Sequence, residues 1–506
     1  MALTLQDRIA VVGAGAMGRG IAAVAAQAGH EVYLFDMNAD AARAAPALIR
    51  DEWQGLVKRG KWTQEALEAA AARLRPVAEL AELSDAALVV EAIVEAAEPK
   101  QSLFRQLEAV LSDSAILASN TSSISITLLA RGLSRPERFA GLHFFNPATR
   151  MKLVEVIHGL ATDPAVIDTL VDTVAAWGKL PVRAQSTPGF IVNRVARPYY
   201  AEGLRIVGER AAQPETVDAL LREAGRFPMG PFELMDLIGH DVNYAVTSSV
   251  FAAMYQDGRF QPSLIQQERV AAGWFGRKTG RGFYDYRDGA SRPAPQTEPA
   301  RPAPAGVVTV GELGPLEALA QRLAEAGVTV SRSDGSDEGW IECGGVRIAL
   351  SDGRTATQRA ADTGHADWVL VDLALDYAST SRLAIAVADQ ATGGAADAAT
   401  GLLQGAGISV SRVDDIAGMV VLRTMAMLAN EAADTVLHGI ASAADVDMAM
   451  RYGTNYPVGP LAWADAFGAP RLAEALQALF AHYGESRYRT SPLIRRLAAN
   501  GGTFYA

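Results

Sequence analysis

A glycine-rich turn near the N-terminus constrains the fold of this chain more than any other feature. The motif Gly13-Ala-Gly15-Ala16-Met17-Gly18 separates an apolar run, which begins at Arg8, from an alanine-rich stretch. A second apolar run follows and ends in the acidic residue Asp36. A strand, a glycine turn, a helix and a second strand in this order form one βαβ unit of a parallel sheet. The sequence therefore predicts an α/β domain with a doubly wound sheet at the N-terminus.

Each part of this turn suits a dinucleotide. The first glycine permits the tight turn, Gly15 lets the backbone approach a pyrophosphate, and Gly18 lets helix and strand pack closely. Ala16 and Met17 open the helix, whose N–H groups and positive end attract phosphate. Asp36 is placed to accept hydrogen bonds from the adenosine ribose and to repel a 2′-phosphate, which favours NAD over NADP. A plain chain reversal is the alternative, and the complete βαβ context argues against it.

The periodicity of apolar residues changes along the chain. Strand-like runs continue to about His143, helical spacing prevails from Pro188 to Tyr286, and five prolines lie between Asp288 and Gly306. Proline disfavours both helix interiors and central strands. We therefore predict a Rossmann-type dinucleotide-binding domain at residues 1–186, an all-α domain at 187–287 and a proline-rich linker at 288–306.

After the linker the chain repeats itself. Residues 188–194 align with 417–423 at an offset of 229, and residues 228–232 align with 457–461 at the same offset. The intervening stretch resembles a worn copy of the first domain, with Gly311-Glu-Leu-Gly314 in place of the phosphate turn, and we expect it to bind no dinucleotide. The sequence thus predicts a degenerate tandem repeat, with a Rossmann-like segment at 307–409 and a second helical domain at 410–506.

Composition excludes several classes of function. With 57 acidic and 46 basic residues the net charge is −11, which opposes binding to nucleic acid or to anionic membranes. A single cysteine, Cys343, forms no intrachain disulfide and indicates neither an oxidising compartment nor a metal site. No apolar run reaches the roughly 18 residues that a membrane span needs, and the first strand begins too early to leave room for a targeting peptide. We expect a cytoplasmic protein.

Polar residues crowd the segment from 118 to 155. Ser119-Asn-Thr-Ser122-Ser follows one strand, His143-Phe-Phe-Asn146-Pro follows the next, and Glu155 lies shortly after. The carboxyl ends of strands line the crevice beside a bound dinucleotide, so these side chains are expected to converge. Oxidation of an alcohol by hydride transfer needs a base, and a carboxylate can hold an imidazole for that role. A structural histidine is the alternative.

Five strings resemble the 3-hydroxyacyl-CoA dehydrogenase family, and the resemblance runs nearly without interruption from residue 8 to 286. They are Ser119-Asn-Thr-Ser-Ser, Arg138-Phe-Ala-Gly-Leu-His-Phe-Phe-Asn-Pro, Met151-Lys-Leu-Val-Glu-Val, Thr187-Pro-Gly-Phe-Ile-Val-Asn-Arg and Pro228-Met-Gly-Pro-Phe-Glu-Leu. The resemblance implies NAD-dependent oxidation of an L-3-hydroxyacyl-CoA to the 3-oxoacyl-CoA. Bacterial members with tandem C-terminal domains act in phenylacetate degradation, where 3-hydroxyadipyl-CoA is the proposed substrate.

The same resemblance implies roles for individual residues. His143 matches the family's base and Glu155 its orienting carboxylate. Ser122 and Asn193 match the residues that hydrogen-bond the substrate, and Asn146 lies beside the nicotinamide. Further cofactor contacts are implied for Glu95, Lys100 and Lys278, and coenzyme A phosphates for Lys58, Arg59 and Lys61. The counterpart of Asn193 in the repeat is Leu422, so we expect no second active site.

Three alternatives stay open on the sequence. Another Rossmann dehydrogenase with a helical domain, of the 6-phosphogluconate or 3-hydroxyisobutyrate type, would use a lysine base. The substrate could instead be 3-hydroxybutyryl-CoA, or the chain could be a non-catalytic NAD-binding scaffold. Single-module members of the family pair through the helical domain, so we expect the second copy to pack against the first as an internal pseudo-dimer; a tethered copy with homodimerisation in trans is the alternative.

Overall fold

The computed structural model describes residues 1–335 and 338–505, and the chain forms two compact units. The N-terminal unit comprises Met1–Arg194 and His438–Thr454, and the C-terminal unit comprises Val195–Leu437 and Asn455–Ala506. In the described ranges no helix is long and apolar enough to cross a membrane.

The N-terminal unit contains one sheet flanked by helices. Its strands are β1 Arg8–Val12, β2 Val32–Phe35, β3 Leu74–Pro76, β4 Ala86–Glu91, β5 Ile116–Ser119, β6 Phe139–Phe144, β7 Leu153–His158 and β8 Leu180–Gln185. Its helices are α1 Ala16–Ala28, α2 Ala39–Lys58, α3 Gln64–Ala71, α4 Ala97–Val110, α5 Ile126–Leu129, α6 Pro164–Ala176 and α7 Val192–Val195, with 3-10 turns at Leu80–Leu83 and Pro136–Arg138.

The order of these strands is β3-β2-β1-β4-β5-β6-β7-β8. All neighbours are parallel except β6 and β7, which are antiparallel. Residues Ile9 to Val12 are at most 2% exposed because helices cover both faces of the sheet. The predicted doubly wound domain is confirmed, and β1 and β4 are the neighbours at which the strand order reverses.

The C-terminal unit contains helices and a second sheet. Its helices are α8 Arg197–Gly208, α9 Pro214–Glu223, α10 Pro231–Ile238, α11 His240–Ala253, α12 Leu264–Ala271, α13 Glu317–Glu325, α14 Ala356–Thr363, α15 Ala395–Gly405, α16 Val421–Leu437, α18 Pro460–Phe467, α19 Ala469–Tyr483 and α20 Pro492–Asn500. Its strands are β9 Gly306–Val310, β10 Thr329–Ser333, β11 Trp340–Cys343, β12 Val346–Leu350, β13 Trp368–Val371, β14 Arg382–Val387 and β15 Ser409–Arg412. Its 3-10 turns are Gly258–Phe260, Arg277–Thr279, Gly314–Leu316 and Ser486–Tyr488.

The second sheet has the order β10-β9-β11-β12-β13-β14-β15. It departs from the first because β11 is antiparallel to both of its neighbours, β9 and β12. From β13 onward it matches the first, since β13 and β14 are antiparallel and β14 and β15 are parallel. Arg382 begins β14 at 229 positions after Leu153 begins β7, so the repeat extends through these strands without a gap. The predicted degenerate repeat of the Rossmann-type fold is thereby confirmed.

The proline-rich segment before β9 forms neither helix nor strand, yet it is anchored by backbone hydrogen bonds. The N–H of Gln296 donates to Thr216 Oγ1 at 3.0 Å, and the N–H of Glu298 donates to the carbonyl of Val410 at 2.8 Å. The N–H of Arg301 donates to Gln404 Oε1 at 2.7 Å. These bonds satisfy backbone N–H groups that a segment interrupted by prolines cannot pair in a helix of its own.

Helices α8 and α16 pack together in the C-terminal unit around buried charges. The guanidinium of Arg423 donates to Glu202 at 2.8 Å, and the guanidinium of Arg259 donates to Glu431 at 2.9 Å. Glu202 also accepts a hydrogen bond from Tyr488 at 3.1 Å. Glu431 follows Glu202, and Tyr488 follows Arg259, by the same 229 residues. The contacts Glu202–Tyr488 and Glu431–Arg259 are therefore equivalent under the repeat.

A helix from the second half of the chain lies in the N-terminal unit. Helix α17 (Ala443–Gly453) packs against β7 and β8, and the N–H of Gln185 donates to the carbonyl of Ile440 at 2.8 Å. Gly453 packs closely on β7, since a Cβ there would stand 2.7 Å from Leu153 Cδ2 and that side chain would have to shift. In the C-terminal unit the equivalent helix α9 packs against β14, the equivalent of β7. There Leu375 N–H donates to the carbonyl of Ala224 at 2.9 Å.

Candidate active site

The glycine turn lies between β1 and α1 and has the geometry of a phosphate cradle. Gly13 has φ 110°, and a Cβ there would stand 2.5 Å from the carbonyl of Ala92. A Cβ on Gly18 would stand 1.7 Å from the carbonyl of Gly13, which explains why helix and turn need glycine at both positions. At Gly15 no described atom lies within 4 Å of the place that a Cβ would take. This open space lies where a pyrophosphate would meet the backbone.

The N-terminus of α1 is free to bind an anion. Gly15 is the N-cap residue of α1 and provides no side-chain cap, and the first turn, which includes Ala16 and Met17, contains no acidic residue. The backbone N–H groups of such a turn point along the helix axis toward the open space above Gly15. The residues present therefore fit a bound dinucleotide.

Asp36 follows β2 and faces this turn. Its Oδ2 accepts a hydrogen bond from Ala14 N–H at 2.7 Å, and its Oδ1 accepts one from Asn38 N–H at 2.9 Å. The carboxylate is thus fixed beside the glycine turn by the backbone on either side of it. A carboxylate ending the second strand is the group that binds ribose hydroxyls and disfavours a 2′-phosphate.

A buried charged network lies at the carboxyl ends of β4 and β5. The Lys100 ammonium pairs with Glu91 at 2.5 Å, and Glu91 accepts a hydrogen bond from Ser119 Oγ at 2.6 Å. Lys100 is 1% exposed and Glu91 is fully buried, so each charge is balanced by the other. Sequence reasoning missed Glu91. A carboxylate in an otherwise apolar strand, nine residues before Lys100, was the available signal.

Glu95 connects this network to the serine-rich loop. Its Oε1 accepts hydrogen bonds from Thr121 Oγ1 at 2.6 Å and from the N–H of Ser122 at 2.9 Å, and Lys100 lies 3.3 Å from its Oε2. Burial alone would raise the pKa of Glu95, but Thr121 and Lys100 outweigh it and lower the pKa. Ser122 Oγ also donates to Glu95 at 3.3 Å, which directs the lone pairs of the hydroxyl away from the network.

His143 and Glu155 form the centre of the site. They are paired residues of the antiparallel strands β6 and β7, and His143 Nδ1 lies 2.7 Å from Glu155 Oε2. His143 is 6% exposed and Glu155 is fully buried. The other carboxylate oxygen, Oε1, accepts the N–H groups of Ile191 and Val192, both at 3.0 Å. The carboxylate is therefore held by α7 as well as by the imidazole.

The imidazole is oriented for proton transfer. A carboxylate beside Nδ1 keeps the proton on that nitrogen and leaves Nε2 with a lone pair. The ring lies among aromatic side chains, 4.5 Å from Phe145 and 6.0 Å from Phe190 between ring centroids. Among the residues that the structure describes, no hydrogen bond to His143 Nε2 occurs. This arrangement fits a general base.

The other residues predicted from the sequence differ in exposure and in the unit to which they belong. Asn146 follows β6 and is exposed, and Asn193 is half-buried in α7, directly after the two N–H groups that hold Glu155. Lys58, Arg59 and Lys61 are exposed at the end of α2. Lys278 belongs to the C-terminal unit, where its ammonium pairs with Asp241 at 2.6 Å. The N-terminal unit thus brings together the glycine turn, Asp36, Glu95, Lys100 and Ser122 at one edge of its sheet.

The repeat preserves a reduced version of this site in the C-terminal unit. Asp372 lies 229 positions after His143, and its carboxylate accepts the N–H groups of Val420 and Leu422 at 3.0 Å. The position of Glu155 is occupied by Ala384. One carboxylate therefore holds the helix N-terminus that Glu155 holds in the first half, and no imidazole accompanies it. Burial raises the pKa of Asp372 to about 6.

The class of protein follows from these features. Dehydrogenases that use nicotinamide dinucleotides bind their cofactor where the strand order of such a sheet reverses, and the imidazole of β6 has the placement that a base for alcohol oxidation needs.

Comparisons with known proteins identify the family. Residues 8–187 match the 3-hydroxyacyl-CoA dehydrogenase NAD binding domain, and residues 189–286 and 418–503 match its C-terminal domain. Residues 348–416 match the 3-hydroxybutyryl-CoA dehydrogenase reduced Rossmann-fold domain. The chain belongs to the 3-hydroxyacyl-CoA dehydrogenase family and is an NAD-dependent dehydrogenase.

Relatives match the chain over most of its length. The 3-hydroxyadipyl-CoA dehydrogenase of Escherichia coli K12 is 45% identical over 97% of both chains. A 3-hydroxybutyryl-CoA dehydrogenase of Bradyrhizobium diazoefficiens is 42% identical over 57% of this chain and 97% of its own. The crystal structure of 3-hydroxybutyryl-CoA dehydrogenase from Escherichia coli K12 superimposes with a TM-score of 0.89, at 44% identity, over 98% of this chain and 99% of that one.

Proposed function

We propose that the substrate of this dehydrogenase is a 3-hydroxyacyl-CoA whose acyl chain ends in a second carboxylate, with 3-hydroxyadipyl-CoA as the first candidate. The observation that carries the proposal is the relative matched over 97% of both chains, which is named for that substrate. The proposal places the chain in the cytoplasm, in phenylacetate catabolism. A 3-hydroxybutyryl-CoA substrate is the second candidate, because relatives named for it match the catalytic half and, in one solved structure, the whole chain.

In this proposal His143 and Glu155 carry the proton chemistry. NAD, held by the glycine turn and Asp36, would supply the acceptor for the hydride from C3 of the substrate. His143 Nε2 takes the hydroxyl proton as the C3–O bond becomes a carbonyl, and Glu155 stabilises the imidazolium through the 2.7 Å contact with Nδ1. Asn193 would orient the thioester with its amide N–H, and Ser122, whose hydroxyl donates to Glu95, would accept a hydrogen bond from the substrate hydroxyl.

Other side chains bind rather than react. Asp36, Glu95 and Lys100 would hold the dinucleotide together with the glycine turn, and Asn146 and Lys278 would add further cofactor contacts. The exposed charges of Lys58, Arg59 and Lys61 meet the phosphates of coenzyme A.

A kinetic panel tests the proposal. Wild-type protein, NAD and 3-hydroxyacyl-CoAs of four to eight carbons, with and without a terminal carboxylate, are compared by kcat/KM for NADH formation. His143→Ala should lower kcat by about 10² to 10⁴ fold with NAD affinity nearly intact, because the imidazole serves proton transfer only. His158→Ala, at the far end of the same strand pair, is the matched control. A wild-type preference for the four-carbon thioester would replace the first candidate with the second, and near-normal turnover of His143→Ala would refute the base.

We further propose that the two helical modules form an internal pseudo-dimer, with the chain divided as 1–186, 187–287, 288–306, 307–409 and 410–506. Support comes from contacts that occur in equivalent pairs, as expected when one surface meets its own copy. Phe227 and Tyr456 are equivalent residues, and their rings meet edge to face at 4.9 Å. The 3-10 turns Gly258–Phe260 and Ser486–Tyr488, which lie within one residue of equivalent positions, pack on each other. Association of two whole chains is the alternative, and analytical ultracentrifugation distinguishes the two.

A further inference from the structure

A buried lysine lies behind the loop that joins two strands of the candidate active site. The loop comprises residues 145–152, between β6 and β7, the strands that bear the histidine–glutamate pair. Lys179 lies between α6 and β8 and is 9% exposed. Its ammonium donates to two carbonyls of the loop, that of Ala148 at 2.5 Å and that of Met151 at 2.9 Å. The ammonium thus binds the backbone of the loop at two points.

The charge of Lys179 is balanced by these carbonyls. Among the residues that the structure describes, no carboxylate pairs with this ammonium, and burial lowers the pKa of Lys179 to about 8. The charged form still predominates at pH 7. A buried ammonium without a counter-ion is costly unless polar groups replace the water around it. The carbonyls of the loop are those groups, so the conformation of the loop and the charge of Lys179 stabilise each other.

The repeat shows that the turn between α6 and β8 does not need this lysine. Ile408 occupies the equivalent position of the C-terminal unit, 229 residues later, and is 1% exposed. The N–H of Lys179 donates to the carbonyl of Val174 at 3.2 Å. The equivalent bond, from the N–H of Ile408 to the carbonyl of Leu403, measures 3.1 Å. The same turn therefore forms around an apolar side chain.

The loop, in contrast, is bound by a cation in both halves. The residues equivalent to Ala148 and Met151 are Tyr377 and Thr380. In the C-terminal unit Arg322 of α13 donates to both of their carbonyls, at 3.2 and 2.8 Å. A cation from another helix thus takes the place of the lysine at the same two carbonyls. The function of the cation is therefore to hold the loop.

The loop of the N-terminal unit joins a candidate cofactor residue to the helix of the glycine turn. Asn146, which the proposed function assigns to the nicotinamide, belongs to this loop and is exposed. Ala148 is 3% exposed and packs on α1, since a Cβ on Gly20 would stand 3.0 Å from the Cβ of Ala148. The carbonyl of Ala148 is also one of the two that Lys179 binds. The ammonium therefore fixes the loop at the point where it meets α1.

We propose that Lys179 is a positioning residue for the nicotinamide end of the cofactor, because its ammonium fixes on α1 the loop that carries Asn146. The inference rests on the proposed function, which assigns Asn146 to the nicotinamide. The residues assigned to the other end of the cofactor are held by different bonds, such as the 2.7 Å bond from Ala14 N–H to Asp36. Loss of the ammonium should therefore weaken the binding of the nicotinamide end alone.

The test compares the binding of NADH with that of ADP-ribose, which lacks the nicotinamide. Lys179→Met, which keeps the length of the side chain and removes its donors, should raise the Kd for NADH by about 10 fold and leave the Kd for ADP-ribose unchanged. It should also lower kcat by about 10 to 10² fold, because a displaced nicotinamide is misaligned for hydride transfer. The KM for the acyl-CoA should stay nearly the same.

Two further variants complete the comparison. Lys179→Arg should restore most of the NADH affinity, because Arg322 makes the same two bonds in the C-terminal unit. Lys152→Met, which removes an exposed charge from the same loop, is the matched control and should behave as the wild type. If Lys179→Met does not fold, Lys179→Gln replaces it, with the same expected selectivity for NADH because an uncharged amide binds the two carbonyls less strongly.

Equal rises in the Kd for NADH and for ADP-ribose would show a structural role and overturn the inference, as would a Lys179→Met variant with wild-type kcat and NADH affinity. Asn146→Ala separates the inference from the proposed function. If Asn146→Ala behaves as the wild type, the assignment of Asn146 fails, and the comparison of NADH with ADP-ribose alone decides the role of Lys179. If Asn146→Ala is impaired, the double variant should be no worse than the more impaired single one, and additive losses would overturn the inference.

Discussion

Replacement of Glu155 by glutamine separates the catalytic role of this carboxylate from its structural role. Glutamine keeps one carbonyl oxygen, which can still accept the N–H groups of Ile191 and Val192 at 3.0 Å. The amide nitrogen then faces His143 Nδ1 at the 2.7 Å position and donates to it. Because a neutral imidazole has one donor and one acceptor nitrogen, the ring proton must move to Nε2. The base is then lost although no contact is removed.

The magnitude follows from counting the groups that lose a partner. In Glu155→Gln the two N–H groups keep an acceptor, and the contact with His143 persists with donor and acceptor reversed, so we expect a stability loss of about 1 to 2 kcal/mol, from exchanging a charged for a neutral acceptor. In Glu155→Ala two buried N–H groups and an imidazole lose their partner, at roughly 1 to 3 kcal/mol each. The rate of Glu155→Gln should fall by about 10² to 10⁴ fold, because general-base catalysis supplies factors of that size.

The assay measures NADH formation and thermal unfolding of both variants beside the wild type. The expected result is a nearly inactive Glu155→Gln whose Tm is close to that of the wild type, and a Glu155→Ala that is both inactive and strongly destabilised. Wild-type turnover by Glu155→Gln would refute the argument from the proton position. An equal loss of Tm in both variants would show that the carboxylate charge, and not the number of acceptors, holds α7.

Three further predictions concern the cofactor, the repeat and pH. Asp36→Ala should raise KM for NAD and relax discrimination against NADP, and an unchanged NAD-to-NADP ratio of kcat/KM would mean that Asp36 is not the ribose ligand. Ending the chain within residues 288–306 should expose the apolar face of α8 and cause self-association in ultracentrifugation, whereas a monomeric fragment as heat-stable as the full chain would contradict the pseudo-dimer. The carboxyl of Asp372, with a pKa raised from 3.8 to about 6, stabilises the fold fully below pH 3.8 and loses this contribution as pH rises through 6. The free energy of unfolding of Asp372→Asn should therefore rise relative to that of the wild type between pH 4 and 7, by up to about 3 kcal/mol, and a pH-independent difference would contradict a raised pKa of Asp372.

Local patterns in the sequence were enough to predict the dinucleotide domain. A glycine turn imposes its own backbone geometry, and at Gly13 and Gly18 the structure leaves no space for any other residue. At Gly18 the constraint acts between residues close in sequence, because a Cβ would meet the carbonyl of Gly13, whereas at Gly13 it comes from Ala92, which follows β4. The degenerate repeat was also predictable from the sequence, because its motifs preserve the spacing of turns and helices.

The pairing of His143 with Glu155 was predicted by resemblance, but its physical basis lies in strand register. The two residues face each other because β7 reverses direction after β6, and nothing local in the sequence states that register. The N–H groups at the start of α7 reach Glu155 because Gly189 and Phe190, with φ values of 78° and 47°, turn the chain toward the carboxylate. In the sequence this bend was indicated only by the glycine of a motif that resembles the family.

Two features of the long-range packing were not predicted from the sequence. The proline-rich segment was predicted as a linker, and its hydrogen bonds to Thr216, Gln404 and Val410 come from residues far along the chain. The antiparallel strand β11, inserted between β9 and β12, likewise left no local signal, because a short apolar run does not reveal its direction.

Because α17 packs on β7 and β8, positions in the second half of the chain are constrained by the structure of the first half. The second half has lost the residues equivalent to those of the candidate active site, as Leu422 at the position of Asn193 and Ala384 at the position of Glu155 show. At Gly453 it is constrained, because a Cβ would stand 2.7 Å from Leu153 on the strand that also bears Glu155, and that leucine would have to shift. A substitution at this position of the second half therefore acts on the strand of the first half that bears Glu155. Because both halves belong to one chain, they are made in equal amounts and stay covalently joined.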